Sequence, residues 1–171
     1  ITAMLSNQLA ALTTDQIVDL SSDQIAAIET ADLQAMRGDQ IATFSLEQIV
    51  ALDSKQTGAL TTLQITKLRT EQIAELETND IAAMSAAQIK AITAYQISAL
   101  TSGHIQALDT LGVSWLKTNQ ISALTGDQIR SFKTSQIAAL GTDQIGALTA
   151  NQISSLKTEH IAALNNLNTK Q

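Results

Sequence analysis

Apolar and polar positions repeat along this chain with a period of eight residues. Examples of the repeat are LTTDQIVD (residues 12–19), LSSDQIAA (20–27) and LTGDQIRS (124–131). They align as L-x-[ST]-x-Q-I-x-A. The Leu position is apolar in all 20 octads from Leu12 to Leu164, and the Ile position is aliphatic in 19 of 20, with Thr57 as the exception. The pattern predicts one repeat array of about 21 octapeptides over residues 1–171, with a polar C-terminal end at 165–171.

The period of eight decides between the regular structures. In a continuous α-helix, eight residues overshoot two turns by about 80°, so the apolar stripe would wind around the helix and a coiled coil is excluded. A β-solenoid accepts an even period, but Ile17 and Leu20 are three residues apart and would point to opposite faces. We therefore expect an all-α, right-handed solenoid of very short helices, one per eight-residue repeat, with a β-solenoid as the alternative.

Each octad contains the signals for one short helix. Thr14 is the predicted N-cap, Asp15 follows it at the positive helix end, and Ile17 and Leu20 share one face. Burying one Ile and one Leu contributes roughly 3–6 kcal/mol, whereas ordering eight residues costs roughly 8–16 kcal/mol. An octad is therefore stable only when stacked on others. Departures from the Ala position recur at multiples of three octads, which favours three helices per turn over two.

A column of glutamines is the most regular polar feature. It includes Gln16, Gln24, Gln40, Gln48, Gln64, Gln72, Gln88, Gln96, Gln120, Gln128, Gln136, Gln144 and Gln152. An amide both donates and accepts hydrogen bonds, and each elbow between helices leaves backbone groups without intrahelical partners. We expect these side chains to bond elbow backbone in the same or the adjacent coil; the alternative is an external polar ladder that binds a ligand.

Departures from the glutamine column are candidate special positions. His104 and His160 replace Gln, and we expect them to be structural substitutes rather than metal or haem ligands, because no other ligand accompanies them. In the octad 108–115, Gly112 replaces Gln and Trp115 stands where Ala is usual. Trp115 is expected to pack beside Gly112; the alternative is a partner contact.

Composition removes most chemistries. The formal charge of −6 argues against nucleic acid as a partner, and the chain has no Cys for a disulfide, a thiolate nucleophile or a Cys-bound metal. No apolar run is long enough for a membrane span, and no catalytic or phosphate-binding motif is present. We expect a protein that is not an enzyme, with no cofactor and no metal, whose partners are the neighbouring repeats of the same chain and possible protein or glycan ligands.

Four octads carry a resemblance to a known class of repeat. They are ALTTDQI (residues 11–17), ALTTLQI (59–65), ALTGDQI (123–129) and ALGTDQI (139–145). They resemble the LTTDQIAA-type tracts of large bacterial secreted or surface proteins with adhesin-like annotations. The resemblance implies a spacer or stalk that is secreted or on the bacterial cell surface. The alternative is a binding solenoid that engages a protein, a glycan or haem through one face.

Overall fold

The computed structural model describes residues 6–165, and these residues form short α-helices with no β-strand among them. Residue contacts divide the chain into two units, 1–92 and 93–171. The first unit contains α1 (Ser6–Ala11), α2 (Thr14–Val18), α3 (Ser22–Ala26), α4 (Thr30–Ala35), α5 (Gly38–Ala42), α6 (Leu46–Val50), α7 (Ser54–Ala59), α8 (Thr62–Lys67), α9 (Thr70–Glu75), α10 (Thr78–Ala83) and α11 (Ala86–Ala91). The second contains α12 (Ala94–Ala99), α13 (Ser102–Ala107), α14 (Thr110–Ser114), α15 (Thr118–Ala123), α16 (Gly126–Ser131), α17 (Thr134–Ile137), α18 (Thr142–Gly146), α19 (Ala150–Ser155) and α20 (Thr158–Asn165). The prediction of one short helix per octad is confirmed, and the β-solenoid alternative is wrong for the described part.

The elbows between helices contain extended residues, as the elbow between α7 and α8 shows. Leu60, which ends α7, has φ −56° and ψ 134°, and Thr61, which precedes α8, has φ −69° and ψ 158°. No described residue has a positive φ or a cis peptide bond. The chain therefore turns at each elbow with backbone conformations open to every L-residue, and neither Gly nor Pro is needed.

The predicted N-cap register is wrong by one residue. Thr13, not Thr14, is the N-cap of α2, and its side chain accepts a hydrogen bond from the backbone N–H of Gln16. The Gln16 side chain in turn accepts from the Thr13 N–H, which completes a capping box. A capping box places the Gln three residues after the N-cap, so Thr14 is the first helical residue and Asp15 the second.

Helices pack in coils of three within each unit. Each helix contacts the one three further along: α1 contacts α4, α2 contacts α5 and α3 contacts α6, and the same rule joins α12 to α15 and α13 to α16. One coil therefore takes three octads. This confirms the prediction of three helices per turn. That residues 1–171 form a single array stays a prediction, and its polar end at 165–171 lies almost entirely outside the residues the structure describes.

The Ile and Leu columns form the core of both units. Ile65 and Ile73 are fully buried, and Leu68 and Leu76 at the elbows are nearly so. Near the C-terminal end of the described residues, Ile153 and Ile161 remain 43% and 40% exposed. The Ile side chain of a coil is thus covered by the coil that follows it. Hydrophobic burial between coils supplies the stability that an isolated octad lacks.

Neighbouring coils approach closely where the first residue of one helix meets the sixth residue of the next coil's helix. A Cβ added to Gly38 would lie 2.8 Å from Cγ of Lys67, and one added to Gly126 would lie 2.6 Å from Oγ of Ser155. In both cases Gly occupies the first position where the sixth position of the following coil is larger than Ala. Among the described residues, no helix is long and apolar enough to cross a bilayer.

Candidate functional site

The side chain of each buried glutamine joins two elbows. Oε1 of Gln64 accepts a hydrogen bond from the Thr61 N–H at 2.7 Å, within its own elbow. Its Nε2 donates to the carbonyl oxygens of Leu33 and Met36, at 2.8 and 2.7 Å. These carbonyls belong to the end of α4, four helices earlier and therefore in the preceding coil. One amide thus satisfies an orphan N–H and ties it to the C-terminal carbonyls of another helix.

The same two bonds recur at glutamines in both units. Nε2 donates to the carbonyls 31 and 28 residues earlier from Gln40, Gln48, Gln56, Gln64, Gln72, Gln88, Gln128, Gln136, Gln144 and Gln152. The Gln96 and Gln120 side chains accept from their own N-cap N–H groups in the same way. We call this set of amide-to-elbow bonds the corner ladder.

The first glutamines have an open environment. Gln16 and Gln24 keep the bond from their own N-cap N–H, at 3.0 and 2.8 Å, but both side chains are exposed. Gln40 and Gln64, by contrast, are almost completely buried. Burial of the amide thus accompanies the bonds to the preceding coil.

The two histidines use the same geometry as the amides they replace. In His160, Nδ1 lies 3.3 Å from the Lys157 N–H, and Nε2 lies 3.0 Å from the Phe132 carbonyl oxygen, 28 residues earlier. Because Nδ1 accepts and Nε2 donates in these bonds, the partners select the tautomer with the proton on Nε2. His104 is 3% exposed and accepts from the Thr101 N–H through Nδ1. Each ring therefore takes the place of an amide at its corner.

Two aspartates in the glutamine column depart from the ladder. Asp80 is 2% exposed and accepts from the Glu77 N–H at 2.9 Å, but an ionised carboxylate has no hydrogen to donate to the preceding coil. Burial raises the pKa of the Asp80 carboxyl, against lowering hydrogen bonds from Glu77 and Ser54. Ser6 likewise donates its hydroxyl to Asp32. In both cases a Ser lies 26 residues before the Asp, at the first position of a helix in the preceding coil.

Basic residues at the N-cap make contacts that sequence reasoning missed. Arg37, which cannot act as an acceptor, donates from Nη1 to the Ala10 carbonyl at 2.6 Å, and Arg69 donates to the carbonyls of Ala42 and Phe44. Lys133 donates from Nζ to the Gln106 carbonyl at 2.8 Å. Each cation therefore lies at the C-terminal end of a helix in the preceding coil, where the helix dipole favours positive charge. The signal was present in the sequence as the recurrence of Arg and Lys in one column.

The irregular octad 108–115 lacks the corner amide, but its helix still has an N-terminal cap. The Asp109 carboxylate caps the Gly112 N–H at 2.6 Å, and the atoms nearest to an added Gly112 Cβ come from Asp109 and Leu108. Trp115 is half-buried at the C-cap of α14. Its role, as packing residue or as partner contact, stays a prediction.

The described part of the chain offers no candidate metal site. Residues 6–165 contain no group of three or more His, Asp or Glu side chains placed to hold a metal ion. One buried polar atom, Oγ1 of Thr57, has no hydrogen-bond partner there. Thr57 occupies the Ile column of the core, so its hydroxyl is an unpaired polar group within the core rather than a functional site.

The stacked three-helix coils and the corner ladder define a helical solenoid of the repeat-protein class. A family model for the ALTTAQ repeat matches residues 25–62, 73–110, 127–158 and 134–166, which together span more than half of the chain. The chain belongs to the ALTTAQ repeat family. A search of curated proteins finds no match.

Proposed function

We propose that this chain is a non-enzymatic structural segment, a spacer or stalk within a large bacterial secreted or surface protein. The observation that carries the proposal is the use of the repeat columns. Ile and Leu fill the core, Gln holds the corners, and the capping residues satisfy backbone, so the repeated side chains serve the solenoid itself. An array of such coils becomes longer with each coil that is added.

The resemblance of the octads to repeat tracts in large bacterial surface proteins supports an extracellular setting. The acidic balance of the chain, with 16 Asp and Glu against 10 Lys and Arg, suits solubility in that setting. The lack of Cys makes the fold independent of the redox state of the compartment. Surface labelling of intact bacterial cells with an antibody against the array tests the location; labelling only after lysis would contradict it.

The spacer role is tested by lengthening the first unit by one coil. A copy of residues 38–61, which are three octads, is inserted after Thr61. Spin labels are attached through Asp15→Cys on α2 and Ala87→Cys on α11, both exposed and on the same side of the coils. The chain has no other Cys to interfere.

We expect double electron–electron resonance to report a label separation that is greater than in the unmodified chain by about 8–10 Å, the usual spacing of packed helices. The distribution should stay narrow. A matched control with a Gly and Ser segment of the same length at the same place should give a broad distribution. An unchanged or broad distribution for the inserted coil would reject the spacer function.

A further inference from the structure

The exposed face of helix α6 differs from that of the other described helices. Its first residue is Leu46, whereas the first residues of the other described helices are Ser, Thr, Gly or Ala. Its fifth residue is Val50, one turn further along the same helix face. Leu46 is 37% exposed and Val50 47% exposed, so neither side chain serves the core.

These two side chains line an open groove of about 600 Å³ on the first unit. Its lining is Ser22 of α3, Leu46, Glu47 and Val50 of α6, Ala51 at the end of α6, and Glu75 of α9. The Ser22 hydroxyl donates to the Glu47 carbonyl oxygen at 3.4 Å and links α3 to α6 along the groove. Glu75 occupies the sixth position of its helix, where Ala is the usual residue. Two columns of the repeat are therefore broken together, and both changes lie in the same groove.

The carboxylates of the groove have no cationic partner in the described part of the chain. Hydrogen bonds from its own backbone N–H and from Ser45 lower the pKa of the Glu47 carboxyl. Within the described residues, the ion pairs join Arg37 to Asp39, Arg69 to Glu71 and Lys157 to Glu159, and none involves Glu47 or Glu75. The groove thus combines two exposed apolar side chains with two carboxylates that have no cationic partner among the described residues.

We propose that this groove binds a short segment of another protein in which one aliphatic side chain lies between two basic residues. The aliphatic side chain packs on Leu46 and Val50, and the basic groups pair with Glu47 and Glu75. Charge complementarity selects this occupant: a second copy of the chain carries a net charge of −6 and would be repelled. The array would then hold a weak docking point in addition to its spacer role.

The probe is an acetylated and amidated heptapeptide with one Leu flanked by two Lys residues in a Gly and Ala background. It is titrated into the isotope-labelled chain and followed by amide chemical shifts. We expect saturable shifts centred on α6 and the end of α9, which weaken as salt increases. A peptide with Glu in place of Lys should give at least tenfold weaker binding, and so should one with Ser in place of Leu.

Two variants test the groove itself. Leu46→Thr with Val50→Ser places residue types that other helices of the array carry at these positions, so the coil is expected to fold, as circular dichroism will check. It should weaken binding at least tenfold, and Glu47→Gln with Glu75→Gln should do the same without changing Leu46 or Val50. The control Leu63→Thr, which removes a 62% exposed Leu from α8, should leave binding unchanged. Equal binding by the two groove variants and the wild type, or shifts centred elsewhere, would overturn the proposal.

Discussion

Replacing a buried corner glutamine should cost far more than replacing an exposed one in the same column. Gln64→Met keeps the length of the side chain but removes three hydrogen bonds: one from the Thr61 N–H and two to the carbonyls of Leu33 and Met36. Each such bond contributes about 0.5–1.5 kcal/mol net, so the loss amounts to roughly 1.5–4.5 kcal/mol. The Leu33 carbonyl keeps a second bond, from the Met36 N–H at 3.2 Å. The Thr61 N–H loses its acceptor outright, which places the expected loss at about 2–4 kcal/mol.

The matched control is Gln16→Met in α2. Gln16 is exposed and its amide has one described bond to backbone, from the Thr13 N–H at 3.0 Å. The expected loss is about 0.5–1.5 kcal/mol. A second variant, Gln64→Glu, keeps the acceptor oxygen but removes the donor and places a charge against two carbonyl oxygens. It should lose more stability than Gln64→Met near neutral pH and recover part of it on acidification.

Urea unfolding followed by far-ultraviolet circular dichroism measures these differences. All three substitutions lie in the first unit, so the same transition is compared throughout, and its slope reveals any change in cooperativity. Equal losses for Gln16→Met and Gln64→Met would refute the reasoning, because the bonds to the preceding coil would then contribute nothing.

Three further substitutions test the irregular positions of the first unit. Thr57→Val replaces a buried hydroxyl without a partner by a methyl group of similar shape, and thermal unfolding should show a gain of about 1–3 kcal/mol; a loss would mean that the hydroxyl is bonded. Burial raises the pKa of Asp80, so the folded chain holds that proton more tightly than the unfolded chain. Ionisation of Asp80 therefore lowers the stability of the folded chain, and this loss is absent below the unfolded pKa and grows as the pH rises to the folded pKa. Asp80→Asn should therefore stabilise more at neutral pH than in acid below the unfolded pKa in urea titrations, and a gain independent of pH would contradict this. Gly38→Ala should destabilise, because its Cβ would lie 2.8 Å from Cγ of Lys67, and Lys67→Ala in the same chain should restore stability; additive losses would exclude the contact.

The octad period predicted the helices, and the positions that depart from it favoured three helices per turn. An apolar pair three residues apart defines one face of a helix such as α2, and the spacing of three octads among irregular positions marks one coil. Both signals are local or strictly periodic, and a single sequence displays them directly. The core columns were visible for the same reason.

The N-cap register was predicted wrongly because two neighbouring columns both contain Ser and Thr. Thr13 and Thr14 are equally good capping residues by type. What selects Thr13 is the Gln16 side chain, which reaches back three residues to the N-cap N–H. The prediction treated the Gln as a partner of elbow backbone in general and did not use this distance.

The contacts of the basic N-caps could not be predicted from local patterns. Arg37 and its carbonyl partner Ala10 are 27 residues apart, and this separation has a meaning only once the number of helices per turn is known. The pairing of Ser54 with Asp80 in the following coil is hidden in the same way. Such substitutions look like random breaks in a column until the coil places the two positions side by side.

Because one coil takes three octads, duplicating one octad and duplicating three octads have different effects on the array. A duplicated octad preserves every capping box and every helix, because each lies within one repeat and its elbow. It nevertheless moves all later helices of that unit onto the next side of the coil, and bonds that span 28 and 31 residues acquire new partners of the same type. Ladder bonds tolerate this shift, since nearly every octad offers the same groups. A groove made by Leu46 and Glu75 does not, since the insertion of one octad between them would place the carboxylate on a different side. Insertion of a single octad therefore preserves the array where neighbouring coils carry only the repeated residues. Where residues of two coils form one surface, as in the groove, only an insertion of three octads preserves it.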